Sequence, residues 1–245
     1  MNLKLDLPAM KFAFARAHLK WAPKGDPVDS TLFDSYPQSS PGYTEFAALL
    51  FAELTRDIHP TGTAFYTFKS INKEEHPSIH RELYNQFPNL EVQIKEFISM
   101  DFAFTVRESS KSVREIILGM ESEMNPLTKK GIDPEVLFPD FVKLCNIHAK
   151  NKIFICRITH RHEEINGNTR PIIERFANAF RSCMNEANAR WNPSSNFGIF
   201  IIETGSRPRR VHLISSIDNK FEVFELPSRA GMQSLVAQHP VVLAS

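Results

Sequence analysis

The apolar positions of this chain change period several times, and each change predicts an element. KIFICRIT (152–159) is a nearly continuous apolar run, the pattern of a buried strand. GIFIIE (198–203), RRVHLISS (209–216) and KFEVFEL (220–226) are three short β-rich runs joined by the turn segments TGSRP and IDN. Between them, RPIIERFANAFRSCMNEANARW repeats its apolar residues at helical spacing, as does EVLFPDFVKLCNIHAK, which Pro139 interrupts. SRAGMQSLVAQ reads as a closing helix with Ser228 as its cap. Further upstream, YTEFAALLFAELTR and HPSIHRELYNQF are helical, the latter with Pro77 in its first turn, and TAFYTFKSI and DFAFTVR alternate like strands. Ser109 and Ser110 then offer N-caps to SVREIILGMESEM, which is expected to be helical. The stretch WAPKGDPVDSTLFDSYPQSSPG is loop.

These patterns give an α+β fold in two unequal parts, with a boundary expected near residue 107. Residues 1–107 form an N-terminal α/β accessory region without a readable motif, and residues 108–245 carry the candidate chemistry. The most loaded segment is THRHEEINGNTRPIIERFANAF (159–180), with His160, His162, Glu163 and Glu164 ahead of a long helix. Asn166-Gly167 is a common turn pair, and Thr169 before Pro171 suits an N-cap, so this segment is expected to start that helix.

Composition narrows the function only a little. The 245 residues are 42% hydrophobic and 23% charged, enough for one sizeable core. Lys and Arg total 29 against 28 Asp and Glu, so no global field draws in nucleic acid and anion binding must be local. Cys145, Cys156 and Cys183 lack metal or redox spacing, which fits buried thiols in a reducing compartment, cytoplasmic or nuclear. No segment has the length of a signal peptide core or a membrane span, so the chain is read as mature, not secreted by a classical signal and free of membrane partners.

Among local candidates, Glu203 ends an apolar strand, where its carboxylate can emerge at a sheet edge. Lys220 follows the next strand pair and can neutralise developing phosphate charge. His148 closes a helix and can add a nitrogen ligand, which favours Mn²⁺ over Mg²⁺. A carboxylate, a lysine and a histidine brought together in this way are the parts of a PD-(D/E)xK nuclease, which activates water on Mg²⁺ or Mn²⁺. Arg207, Arg209 and Arg210, with Arg190, are a candidate phosphate-binding patch, because guanidinium forks match phosphate bidentately.

The same residues carry a family resemblance. HRHEEINGNTRPIIERFAN resembles a segment of the N-terminal endonuclease domain of orthomyxovirus polymerase acidic subunits, matching at His160, Arg161, Glu163, Ile165, Gly167, Arg170 and Asn178. IIETGSRPRRVHL is similar to that family's strand and turn bearing a catalytic glutamate, matching at Glu203, Gly205, Arg209, Val211 and His212. FVKLCNIHAK resembles the helix bearing its metal-binding histidine, which falls on His148. The resemblance covers about residues 108–240. It implies a PD-(D/E)xK-like mixed sheet flanked by helices, Mn or Mg at His148, Glu203 and Glu164, and catalysis by Glu203 and Lys220. It also implies RNA, other polymerase subunits or host proteins as partners.

The site implied in this way is degenerate. The family's acid before the glycine falls on Asn166, WNPSSN holds no acid where another is expected, and the catalytic lysine falls near Asp218, which leaves Lys220 displaced. The alternative is a non-catalytic protein interaction module on the same fold. Two further readings are weaker. His162, Gly167, Asn168 and Arg170 have the spacing of a Fic loop, but the β-rich runs after Trp191 oppose that helical fold. VHLISSIDNKFEVFELP resembles the His-then-acid strands of YopJ-type acyltransferases and related cysteine proteases, with His212 and Glu225 as the pair, but no cysteine follows Cys183.

Overall fold

The structure, a computed structural model, describes residues 5–21, 41–56, 63–67, 85, 90–93, 100–106, 115–124, 127–128, 131–132, 134–160, 162–190, 195–204, 209–227 and 229–238. The loop expected at 21–42 and the helix expected at 76–87 fall largely outside them. The chain is a mixed α+β fold in which helices flank both faces of a mixed sheet.

In chain order the elements are α1 (Leu7–Trp21), α2 (Pro41–Thr55), β1 (Thr63–Thr67), β2 (Leu90–Gln93), β3 (Phe102–Val106) and β4 (Glu115–Glu123). The short pair β5 (Leu127–Thr128) and β6 (Gly131–Ile132) precedes α3 (Pro134–Asn146) and β7 (Asn151–Thr159). Then come β8 (His162–Ile165), β9 (Asn168–Pro171), α4 (Ile172–Arg190), β10 (Asn196–Thr204), β11 (Arg210–Ser215), β12 (Lys220–Glu225) and α5 (Arg229–Ala237).

Eight strands form one sheet in the order β12-β11-β10-β7-β4-β3-β1-β2. Strands β4, β7 and β10 run parallel at its centre, and the antiparallel meander β10-β11-β12 completes one side. The boundary expected near residue 107 falls between β3 and β4, which are hydrogen-bonded neighbours, so the sheet is continuous across it. SVREIILGMESEM is not a helix: its Glu115–Glu123 portion is β4, held between β3 and β7. Its apolar spacing suits a helix as well as a strand, and pairing on both edges decides for the strand. Gly119 fits this position because a Cβ there would collide with the Met100 sulfur.

Alternation along the strands sends side chains into two cores. One face carries Ile153, Ile155, Phe200, Ile202, Val211 and Leu213 against α1 and α2. Phe14 of α1 is fully buried there, edge-on to Phe46 of α2 at 5.0 Å and stacked on Phe200 at 6.1 Å. Burying such a ring contributes roughly 1.5–3 kcal/mol. The buried Glu53 carboxylate ties the two helices together through Arg16 and Lys20, each at 2.8 Å. The first turn of α1 is doubly capped, because Asp6 accepts from the amide of Ala9 at 2.9 Å and Asp218 accepts from that of Leu7 at 2.6 Å. Asp218 thus anchors α1 to the β11–β12 turn.

On the opposite face, Phe154, Cys156, Ile158, Phe197, Ile199, Ile201 and Ile214 meet α3 and α4. Phe141, Phe154 and Phe180 form an aromatic cluster there, with ring centroids 4.8–5.3 Å apart. α4 is the expected amphipathic helix, burying Ile173, Phe176, Ala177, Phe180, Met184 and Ala187.

Thr159–Pro171 departs from the expected helix start. Glu163 pairs with Arg170 and Glu164 with Thr169 in a β-hairpin, so Thr169 is a strand residue rather than a cap. Asn166 and Gly167 occupy its turn with φ of 52° and 78°. Both left-handed values are those of a two-residue hairpin turn, for which Asn-Gly is the favoured pair.

Candidate active site

Glu203 lies at the carboxyl end of β10, one position before its end and opposite Ile158 of the parallel β7. Ligand sites in sheets with parallel centres favour this edge, where strands hand over to helix N-termini. Glu203 shares a face with Phe197, Ile199 and Ile201, so its side chain turns into the α4 layer. There the carboxylate is almost fully buried, with 2% of the side chain exposed.

Two imidazoles meet it. His212 of β11 places Nε2 at 2.8 Å from Oε2 of Glu203, and His160, the first residue beyond β7, places Nδ1 at 2.6 Å from Oε1. The His160 approach departs from hydrogen-bond alignment, so His212 makes the better-directed bond. A carboxylate can only accept, so the nitrogens facing it carry the protons. In that neutral tautomer Nε2 of His160 is the lone pair, pointing away from Glu203. It lies 3.0 Å from Nε2 of His162, the first residue of β8, with the rings edge to face. The four side chains form a chain from an exposed histidine to a buried carboxylate: His162, His160, Glu203, His212.

The surroundings tune this chain. Burial lowers the pKa of His212, working against the hydrogen bond and charge of Glu203, which raise it. Its ring stacks on Phe221 at 5.8 Å. Arg210, the cross-strand partner of Glu203, brings a cation to the same edge and lies 3.5 Å from Glu225 of β12. The acid partner of His212 is therefore Glu203, and Glu225 instead pairs with Arg210.

The expected site residues do not come together. His148 lies in the α3–β7 connection, exposed, before the amino end of β7. Ile158 is seven positions along β7 from Asn151, about 23 Å at a strand's rise, so His148 and Glu203 occupy opposite ends of the sheet. Lys220 opens β12 beside Ser215, whose other partner is Gly198, five positions from Glu203 and about 17 Å away along the strand. Glu164 is exposed on the hairpin. Among the described residues, no three or more His, Cys, Asp or Glu side chains are arranged to hold a metal ion. The donors His148, Glu203 and Glu164 thus do not fit a shared Mn or Mg.

The arginine patch is likewise divided. Arg190 ends α4, paired with Glu186 at 3.0 Å, about 27 Å from the start of the helix. The charge of Arg209 acts on His18 in the α1 layer, while Arg210 faces the α4 layer. Arg207 lies outside the described residues.

Sequence reasoning singled out Glu203 but missed the partnership of His160 and His212 with it. The signal was weak: both histidines fall within the segments that carry the family resemblance, but only strand register brings them to one carboxylate. Two other buried groups also escaped it. Lys152 is fully buried and donates Nζ to the carbonyl of Cys145 at 2.8 Å, and burial lowers its pKa to about 8. Glu121 is raised to about 9 by burial and by the charge of Asp101, and its Oε2 meets Lys143 at 3.0 Å.

No helix among the described residues is long and apolar enough to cross a membrane. Comparison with protein-family models, curated proteins and solved structures gave no match.

Proposed function

We propose that this chain is an endonuclease-like enzyme that cleaves RNA by general acid–base catalysis at the carboxyl edge of β7 and β10. The observation that carries this reading is the buried Glu203 carboxylate, with Nδ1 of His160 2.6 Å away and Nε2 of His160 turned from it toward the exposed His162. An imidazole held by a buried carboxylate through one nitrogen, with the other free to take a proton, is the general-base arrangement of hydrolytic sites. Arg210 adds a guanidinium for a phosphate oxygen at the same edge. RNA as substrate, and polymerase subunits or host proteins as context, rest on the resemblance carried by His160, Glu203, Arg209 and His212.

The test is cleavage of a labelled single-stranded RNA by the full chain and by single variants. General-base loss in His160→Ala should slow cleavage roughly 10²–10⁴-fold. His148→Ala and Lys220→Ala should cleave at the wild-type rate. Cleavage that depends on His148 or Lys220 but not on His160 would place the chemistry at the other end of the sheet. If the folded wild type leaves the RNA intact, the non-catalytic interaction module is the better reading.

A further inference from the structure

We infer that the nucleophile is the 2′-hydroxyl of the RNA itself, so that the site cleaves by transesterification and requires ribose at the scissile position. This rests on the acid–base reading above and adds a substrate requirement to it. The first support is the His160–His162 pair. Two imidazole nitrogens 3.0 Å apart share one proton, so the pair offers one base and one acid side by side. His162 stands at the exposed end of the pair, and His160 at the end whose Nδ1 lies 2.6 Å from the buried Glu203 carboxylate, so the two imidazoles differ in their surroundings.

The second support is what surrounds the pair. Glu203 is buried, and its two oxygens are turned to His160 and His212, so its carboxylate is not presented to a water molecule. Arg210 is the cation the sheet register brings beside Glu203. A site built on acid–base groups gains from a nucleophile already attached next to phosphorus, because intramolecular attack is worth an effective concentration of ~10⁵–10⁸ M.

The step balances without a co-reactant. Nε2 of His160 removes the 2′-hydroxyl proton as O2′ bonds to phosphorus. The P–O5′ bond breaks, its electron pair stays on O5′, and the imidazolium of His162 protonates that oxygen. The products are a 2′,3′-cyclic phosphate and a 5′-hydroxyl. Entry of the scissile phosphate replaces the direct His160–His162 contact, with one imidazole taking each side.

The experiment uses the full chain and three oligonucleotides of one sequence: all-DNA, DNA with a single ribonucleotide, and the same with that ribose 2′-O-methylated. Only the oligonucleotide with the free 2′-hydroxyl should be cut, after that residue. Mass spectrometry should find the cyclic phosphate, and chelator should not slow the reaction. His162→Ala should lose about 10²-fold in rate. Cleavage of the all-DNA strand, or products with a 5′-phosphate, would mean attack by water; it would overturn this inference and leave phosphodiester cleavage by His160 standing. No cleavage of any oligonucleotide or of plain RNA would overturn both.

Discussion

Replacing Glu203 by Gln tests the centre of this site without changing its volume. The buried carboxylate accepts from His212 at 2.8 Å and lies 2.6 Å from Nδ1 of His160. A Gln side chain keeps one accepting oxygen and turns an NH₂ toward the other imidazole, so two donors oppose each other there. The bond to His212, worth about 1.5–3 kcal/mol while the carboxylate is charged, falls to the strength of a neutral bond, and the attraction of the carboxylate for His160 is lost. The expected loss is about 2–4 kcal/mol. For a chain of this size that lowers the melting temperature by ~5–15 °C. His212 should also titrate at lower pH than in the wild type, because Glu203 is what raises its pKa against burial. Thermal melts and proton NMR of the histidine C2–H resonances read the two effects together. A variant within about 0.5 kcal/mol of the wild type, with an unmoved His212 titration, would refute the hydrogen-bonded chain.

Two further predictions concern the fold that holds this site. His18, buried in the α1 layer, has a pKa lowered to about 4 by burial and by the charges of Arg209 and Arg229, against 6.5 when unfolded. The unfolded chain therefore binds the proton first as pH falls, and stability should drop by about 3 kcal/mol between pH 6.5 and 4. Urea unfolding of the wild type and His18→Leu across that range should diverge by this amount, and parallel curves would contradict it. Gly198 sits where a Cβ would lie 2.8 Å from Cδ1 of Ile153 and 3.2 Å from Cε of Met10. Gly198→Ala should destabilise by about 1–3 kcal/mol through overpacking between α1 and the sheet, and an unchanged denaturation midpoint would show that the layer yields freely.

Much of the local structure is legible in the residues themselves. The apolar runs of β7, β10, β11 and β12, the amphipathic α4 and the left-handed Asn166-Gly167 turn each follow from spacing or residue type within one short segment. Local reading fails where a segment suits two states. Glu115–Glu123 has spacing compatible with either helix or strand, and only hydrogen bonding to β3 and β7 settles it. Leu7–Trp21 carries no functional motif, yet α1 covers the sheet because Phe14, Met10 and Trp21 find Phe46 and Phe200 across long sequence separations.

The site shows the same division. The chain itself supplies a glutamate at a strand end and histidines on either side of a long helix, and nothing local says which of them meet. Strand register decides. Parallel pairing of β7 with β10 brings His160 to Glu203, and antiparallel pairing of β10 with β11 brings His212 to the same carboxylate. That parallel pairing also sends His148 to the far end of the sheet, because a residue before a strand and one at the end of its parallel neighbour lie a full strand length apart. Side-chain types and their spacing are local properties of a sequence, whereas which carboxylate faces which imidazole is set by hydrogen-bond register between distant segments.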